Sequence, residues 1–156
     1  MHGAARKVVF AAVLILAGVA AGAQSRIIYS ATADPHADIA QAIKTASKTH
    51  KNIILDFGGN WCSECLVLDI YFHQPPNLSL LENNFVVVHV DIGHMDKNTD
   101  VAAKYEVPIK RGVPALAVLD QHGRLLYSQK NKEGEALVRT DPASVTEFLN
   151  QWKPKR

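Results

Sequence analysis

Apolar and polar positions alternate along this chain in two different rhythms, and the change of rhythm marks the elements. From Asp34 to His50, Ile39, Ala40, Ile43 and Ala46 recur at helical spacing. Asp34 is placed to cap that helix, with Pro35 at its first position. Ile53 to Phe57 is a continuous apolar run of strand length, broken by Gly58-Gly59-Asn60. A second helix is expected from Cys62 to about Tyr71, stopped by Pro75-Pro76. Leu78 to Glu82 has room for a short helical turn. Phe85 to Asp91 is a β-branched strand, and Thr99 to Tyr105 is a helix that ends before Val107-Pro108. Pro114 to Leu119 is a strand, and Gln121-His122-Gly123 turns it into a hairpin with Arg124 to Ser128. Asp141-Pro142 opens a last helix that buries Val145, Phe148, Leu149 and Trp152. Gln24 to Ser30 is expected as a lead-in, with an edge strand as its regular form. Alternation of helices and strands followed by a hairpin predicts an α/β fold, a central mixed sheet with helices on both faces.

The N-terminus changes the domain boundaries. Arg6 and Lys7 precede an unbroken apolar run from Val8 to Ala20, and Ala21-Gly22-Ala23 has the small-residue pattern of a cleavage site. This reads as an export signal over residues 1–23, removed near Ala23. The run is shorter than the roughly 20 residues that span a bilayer, so no stable membrane span is expected after cleavage; retention as an anchor is the alternative. Residues 24–156 then form one domain of ordinary size, expected in the periplasm or secreted. Arg6 and Lys7 are two of the 17 basic residues, so the mature chain balances its 15 acidic ones. Beyond the short tail Lys153 to Arg156 there is no basic run, and nothing points to nucleic acid.

The chemistry lies in Trp61-Cys62-Ser63-Glu64-Cys65, which holds both cysteines of the protein. Their spacing puts a C-x-x-C at the first turn of a helix that follows a strand. Free N–H groups and the positive end of the helix dipole favour a thiolate there. A thiolate with a second sulfur in reach can attack a disulfide and then be released by its neighbour. A purely structural bridge is the competing reading. It closes a ring of four residues, which restricts the unfolded chain by only about 2 kcal/mol, against nearly 5 for a loop of about 100 residues.

These residues resemble the thioredoxin-like family over roughly Asp34 to Trp152. The resemblance rests on Asp56-Phe57, Trp61-Cys62-x-x-Cys65, the Val86 to Asp91 strand, and Gly112-Val113-Pro114 opening the next strand. The long segment from Tyr71 to Asn84 is similar to the exported, periplasmic branches of that family. The resemblance implies a thioredoxin-like fold and a protein-disulfide reductase or related oxidoreductase. It implies that Cys62 is the attacking thiolate, Cys65 the resolving thiol, and Asp56 the buried carboxylate that accepts the resolving thiol's proton. It implies a cis bond before Pro114 that sets Val113 beside the sulfurs to pair with an extended substrate, and a Trp61 that covers the disulfide. Asp56 as a hydrogen-bonded strand-end residue and Trp61 as a packing residue remain the alternatives. No cofactor is implied beyond the Cys62–Cys65 disulfide, and no metal. Implied partners are thiols and disulfides of exported proteins, apocytochromes among them, and a membrane or periplasmic reductase; a monomer is expected.

The departures concern tuning. Ser63-Glu64 stands where thioredoxins have Gly-Pro, Leu66 where they have Lys, and His89 where a Lys often pairs with the buried carboxylate. Glu64 and His89 are therefore the modulating candidates. Two other functions compete. One is a copper chaperone using Cys62, Cys65 and one of His73, His89 and His94. The other is a non-catalytic interaction domain, disfavoured by the intact cysteines, Trp61 and Val113-Pro114.

Overall fold

The structure is a computed structural model that describes residues 27–130 and 141–155. The expected export signal lies outside the described residues. Among these, no helix is long and apolar enough to cross a membrane.

Helix α1 spans Pro35–Thr49, and the Asp34 carboxylate accepts the backbone N–H groups of His36 and Ala37. Its buried face is Pro35, Ile39, Ala42 and Ala46. That 4-3-4 spacing places Ala42 on the core stripe and turns Ala40 to solvent, which corrects the expected face. Strand β1, Asn52–Gly58, is buried along its whole length. Helix α2 follows over Ser63–Phe72, and a cis Pro75-Pro76 bond separates it from α3, Asn77–Asn84. The short turn expected at Leu78 to Glu82 is thus a longer helix. It is docked on the C-terminal helix through Asn77, which donates to the Pro142 carbonyl at 3.1 Å and accepts from Thr146 Oγ1 at 2.6 Å. Strand β2 is Phe85–Asp91, α4 is Thr99–Lys104, and a single 3₁₀ turn covers Ile109–Arg111. The hairpin is β3, Ala115–Leu119, and β4, Leu125–Ser128; the last helix, α5, is Pro142–Trp152.

The four strands lie in the order β2-β1-β3-β4. β1 is parallel to β2 and antiparallel to β3, so the sheet is mixed. Alternation along the strands feeds two cores. Ile53, Leu55, Phe57, Ala115 and Ala117 pack with α1 and α4 residues, while Ile54, Leu116 and Val118 pack with α2, α3 and α5. Helices cover both faces, as the element order predicts.

The lead-in differs from expectation. Ile27 to Ser30 forms no strand. The N–H groups of Ile28 and Tyr29 instead go to Oδ1 of Asn60, at 3.0 and 3.2 Å, and Asn60 Nδ2 donates to the Tyr29 carbonyl at 2.7 Å. One asparagine side chain supplies the partners that a neighbouring strand would have supplied.

Candidate functional site

β1 ends at Gly58, and the chain must turn at once to start α2. Cys62 N–H closes that turn on the Gly59 carbonyl at 3.0 Å. Cys62 becomes the N-cap of α2, and its Sγ accepts the backbone N–H of Cys65 at 3.2 Å. The two cysteines are disulfide-bonded. The capping position aims a helix N-terminus at one particular sulfur, and this favours negative charge on Cys62 when the bond is reduced.

The peptide bond between Val113 and Pro114 is cis, and the Val113 carbonyl oxygen lies 3.6 Å from Cys62 Sγ. Fifty-one residues apart in sequence, the two meet because β3 pairs with β1 and begins at Ala115 beside Phe57.

Asp56 is fully buried. Its Oδ2 accepts the Tyr29 hydroxyl at 2.8 Å and lies 3.0 Å from His89 Nδ1. Its Oδ1 has no hydrogen-bond partner among the described residues. Asp56 and His89 are direct neighbours in the parallel β1–β2 register. Burial, followed by the adjacent Asp56 carboxylate, pushes the Tyr29 phenol far above its ordinary range, so Tyr29 stays a proton donor. A Cβ on Gly58 would lie 2.6 Å from the Tyr29 hydroxyl and 2.8 Å from Cys65 Sγ. The phenol and the inner sulfur therefore close in on a space that only glycine leaves open.

Trp61 is half exposed, with 50% of its surface accessible. Its indole N–H donates to the Gly93 carbonyl at 2.6 Å, and its ring stacks on His94 at 5.8 Å. The large apolar surface next to the sulfurs is thus held by the loop after β2. Glu64 is half-buried and accepts the Ser63 hydroxyl at 2.8 Å.

The site therefore brings together Cys62, Cys65 and Val113, and a second group, Asp56 with Tyr29 and His89, meets it where Tyr29 and Cys65 border Gly58. The candidate copper ligands do not gather around it in this way. His73 Nδ1 lies 2.7 Å from the Asp69 carbonyl at the end of α2, His94 lies on Trp61, and His89 is with Asp56. Among the described residues, no cluster of three or more His, Cys, Asp or Glu side chains could hold a metal ion. A surface depression of about 1050 Å³ includes Asn52 at the start of β1, away from the sulfurs that follow its end.

Tyr29, Asn60 and Gly58 are absent from the sequence-based candidates. Gly58 is visible there only as a strand-ending glycine, and Tyr29 and Asn60 carry no spacing signal, because what joins them is a contact across about thirty residues.

Residues 34–121 match the family described as thioredoxin-like. The chain belongs to the thioredoxin-like family. Among solved structures, it is similar to a disulphide isomerase from Xylella fastidiosa Temecula1, with 29% identity, 81% of this chain and 96% of that chain covered, and a TM-score of 0.75. It is also similar to a thioredoxin from Thermus thermophilus, at 21% identity over 72% of this chain and 81% of that one, with a TM-score of 0.54. The oxidised C-terminal domain of DsbD from Neisseria meningitidis matches at 20% identity over 78% and 97%, with a TM-score of 0.50. The last two similarities concern the fold alone. No protein of curated function matches the chain. A thioredoxin-like fold carrying a Cys62–Cys65 disulfide is the arrangement of a thiol–disulfide oxidoreductase.

Reactivity should divide the two sulfurs. Cys62 keeps 4% of its surface accessible and Cys65 none. In the reduced protein, iodoacetamide should label Cys62 first, because attack requires both thiolate character and access. Peptide mass mapping after limited labelling checks this, and preferential modification of Cys65 would reverse the order.

Proposed function

We propose that this protein is an exported thiol–disulfide oxidoreductase that exchanges disulfides with other exported proteins and acts as a reductant or isomerase. The observation that carries the reading is the Cys62–Cys65 disulfide at the N-terminus of α2, with the Val113 carbonyl 3.6 Å from the outer sulfur. In the reduced protein the Cys62 thiolate attacks a substrate disulfide and forms a mixed disulfide. Cys65 gives its proton to Asp56 and attacks Cys62 Sγ, and the substrate leaves as a thiol. Val113 and Pro114 offer backbone to an extended substrate segment, and Trp61 offers an apolar platform. The substrates are disulfides and dithiols of exported proteins, and a periplasmic or membrane reductase restores the dithiol. The redox-active disulfide serves in place of a cofactor. Export rests on residues 1–23, and the similarity to a disulphide isomerase supports the reaction class.

The protein should catalyse reduction of insulin disulfides by dithiothreitol, and equilibration with a glutathione buffer should place it on the reducing side. Glu64 stands between the cysteines and opposes a nearby thiolate by like-charge repulsion, which favours the oxidised form. The helix N-terminus acts in the opposite sense. The expected potential is nearer to thioredoxin's, about −270 mV, than to a strong oxidant's, about −120 mV. Glu64→His should raise it. A value above about −150 mV would make the protein an oxidant, and failure to reduce insulin would remove the catalytic reading.

A further inference from the structure

We propose that Tyr29 and His89 orient Asp56 so that Oδ1 alone takes the Cys65 proton, and that His89 releases a proton to water in the same step. This rests on the exchange reaction proposed above and assigns two positioning residues to it.

Asp56 has no solvent contact, so a change in its charge must be compensated by a neighbour. Both of its hydrogen bonds converge on Oδ2, from Tyr29 at 2.8 Å and from His89 at 3.0 Å, and Oδ1 is buried without a partner among the described residues. Leaving a buried acceptor unsatisfied is destabilising. If Asp56 is the acceptor of the Cys65 proton, Oδ1 is the oxygen left open to take it. Tyr29 is the fixed member of the pair. Its backbone N–H and carbonyl are both held by Asn60, directly before Trp61 and Cys62, and its hydroxyl and Cys65 Sγ border the same space at Gly58.

His89 is the member that reaches water. It lies on β2, at the edge of the sheet, with 26% of its side chain accessible. It lines a surface depression of about 360 Å³ with Ile28, Ser30, Asp38 and Gln41. Among the described residues, the ionisable groups near it include Asp56 from β1, Tyr29 from the lead-in and Asp38 from α1. Asp69, from α2, acts on the same cluster through its effect on Tyr29. Tyr29 remains neutral, so the imidazole is the member of this cluster that can exchange a proton with water.

Before resolution Asp56 is a carboxylate and His89 an imidazolium. The Cys65 proton moves to Oδ1, the Cys65 sulfur forms its bond to Cys62 Sγ, and the bond from Cys62 to the substrate sulfur breaks. The substrate sulfur leaves with that electron pair and takes a proton from water. As Asp56 becomes neutral, the imidazolium loses its partner charge and gives its outer ring proton to water, while Nδ1–H stays on Oδ2. The protein dithiol is oxidised and the substrate disulfide reduced. The Asp56–His89 pair has zero net charge before and after, so no uncompensated charge is ever left in the core. Reduction of the protein runs the same step backwards.

Stopped-flow reaction of the reduced protein with an aromatic disulfide, 5,5′-dithiobis(2-nitrobenzoate), tests this. It releases a coloured thiol in two phases, Cys62 attack and then Cys65 resolution. In the wild type the second phase should show an inflection in the imidazole range, between about pH 5 and 8. His89→Gln keeps a donor to Oδ2 but cannot titrate. It should slow the second phase relative to the first by about tenfold, part of the roughly 10²–10⁴ that a positioned acid or base contributes, and remove the inflection. His89→Lys keeps the cation without discharging it in this range and should also flatten the profile, which covers the case in which the glutamine variant does not fold. Tyr29→Phe should slow the second phase and retain the inflection. Persistence of the wild-type inflection in a folded His89 variant would overturn the inference and leave the exchange reaction standing. An Asp56→Asn variant that resolves as fast as wild type would instead remove Asp56 as the acceptor. A wild type that releases no thiol at all would remove the exchange function itself.

Discussion

Cys62→Ala should abolish insulin reduction, by more than about 10³-fold, the scale on which loss of a nucleophile is felt, whereas Cys65→Ala should arrest the reaction with substrate attached. The two sulfurs sit in one disulfide but occupy different places. Cys62 caps α2, accepts the Cys65 N–H and lies beside the Val113 carbonyl. Cys65 is inside the first turn and fully buried. Without Cys62 no thiolate sits at the helix terminus, and Cys65 has no route to a protein-sized disulfide. Without Cys65 the mixed disulfide on Cys62 has no internal resolver and persists until an external thiol reaches it. Non-reducing gels and intact mass of the Cys65→Ala protein after exposure to extracts of exported proteins should show covalent adducts, and the Cys62→Ala protein should show none. Adducts on the Cys62→Ala variant would exchange the roles. Loss of the short ring itself costs only about 2 kcal/mol, so both variants should remain folded, and activity reports chemistry rather than unfolding.

Gly58→Ala should lower stability by about 2–4 kcal/mol, combining overpacking with a disturbed buried hydrogen bond. The added methyl would lie 2.6 Å from the Tyr29 hydroxyl, 2.7 Å from its Cζ and 2.8 Å from Cys65 Sγ. None of these can withdraw cheaply. Gly58 ends the buried central strand, Cys65 is fixed in α2, and Tyr29 is tied to Asn60 and Asp56. The ring has to move, and its bond to the buried Asp56 goes with it. Urea denaturation of the oxidised proteins measures the loss. A double-mutant cycle with Tyr29→Phe identifies its source, because Gly58→Ala should cost less once the hydroxyl is gone. Additive costs would place the clash elsewhere.

Much of this architecture is local and therefore legible in the order of residues. The apolar runs at Ile53 to Phe57 and Phe85 to Asp91 are strands because buried parallel pairs need continuous β-branched and aromatic surface. Asp34-Pro35 and Asp141-Pro142 start helices because a carboxylate satisfies free N–H groups while proline fixes the first turn. Cys62 stands at a helix start because a strand, two glycines and an apolar run leave it nowhere else. The face of α1 was less legible, since Ala40 and Ala42 are chemically identical and only the direction of the sheet distinguishes them.

The resemblance to thioredoxins placed His89 near the buried carboxylate and Val113 beside the sulfurs; what the order of residues by itself could not show is the register that does so. Asp56 meets His89 because β1 and β2 pair in parallel with those residues opposite each other. A slip of one residue would have turned the imidazole to the other face. The Val113 carbonyl reaches Cys62 through the antiparallel pairing of β1 with β3. Tyr29 lies in a segment with no regular structure, and its place depends on an asparagine thirty-one residues away. The sequence by itself therefore determined the elements, the reactive pair and its helix terminus, which depend on neighbours along the chain. The tertiary structure alone decided which oxygen of Asp56 is left open and that Tyr29 and His89 share the other, because those contacts are set by sheet register and by packing between segments that share no local pattern.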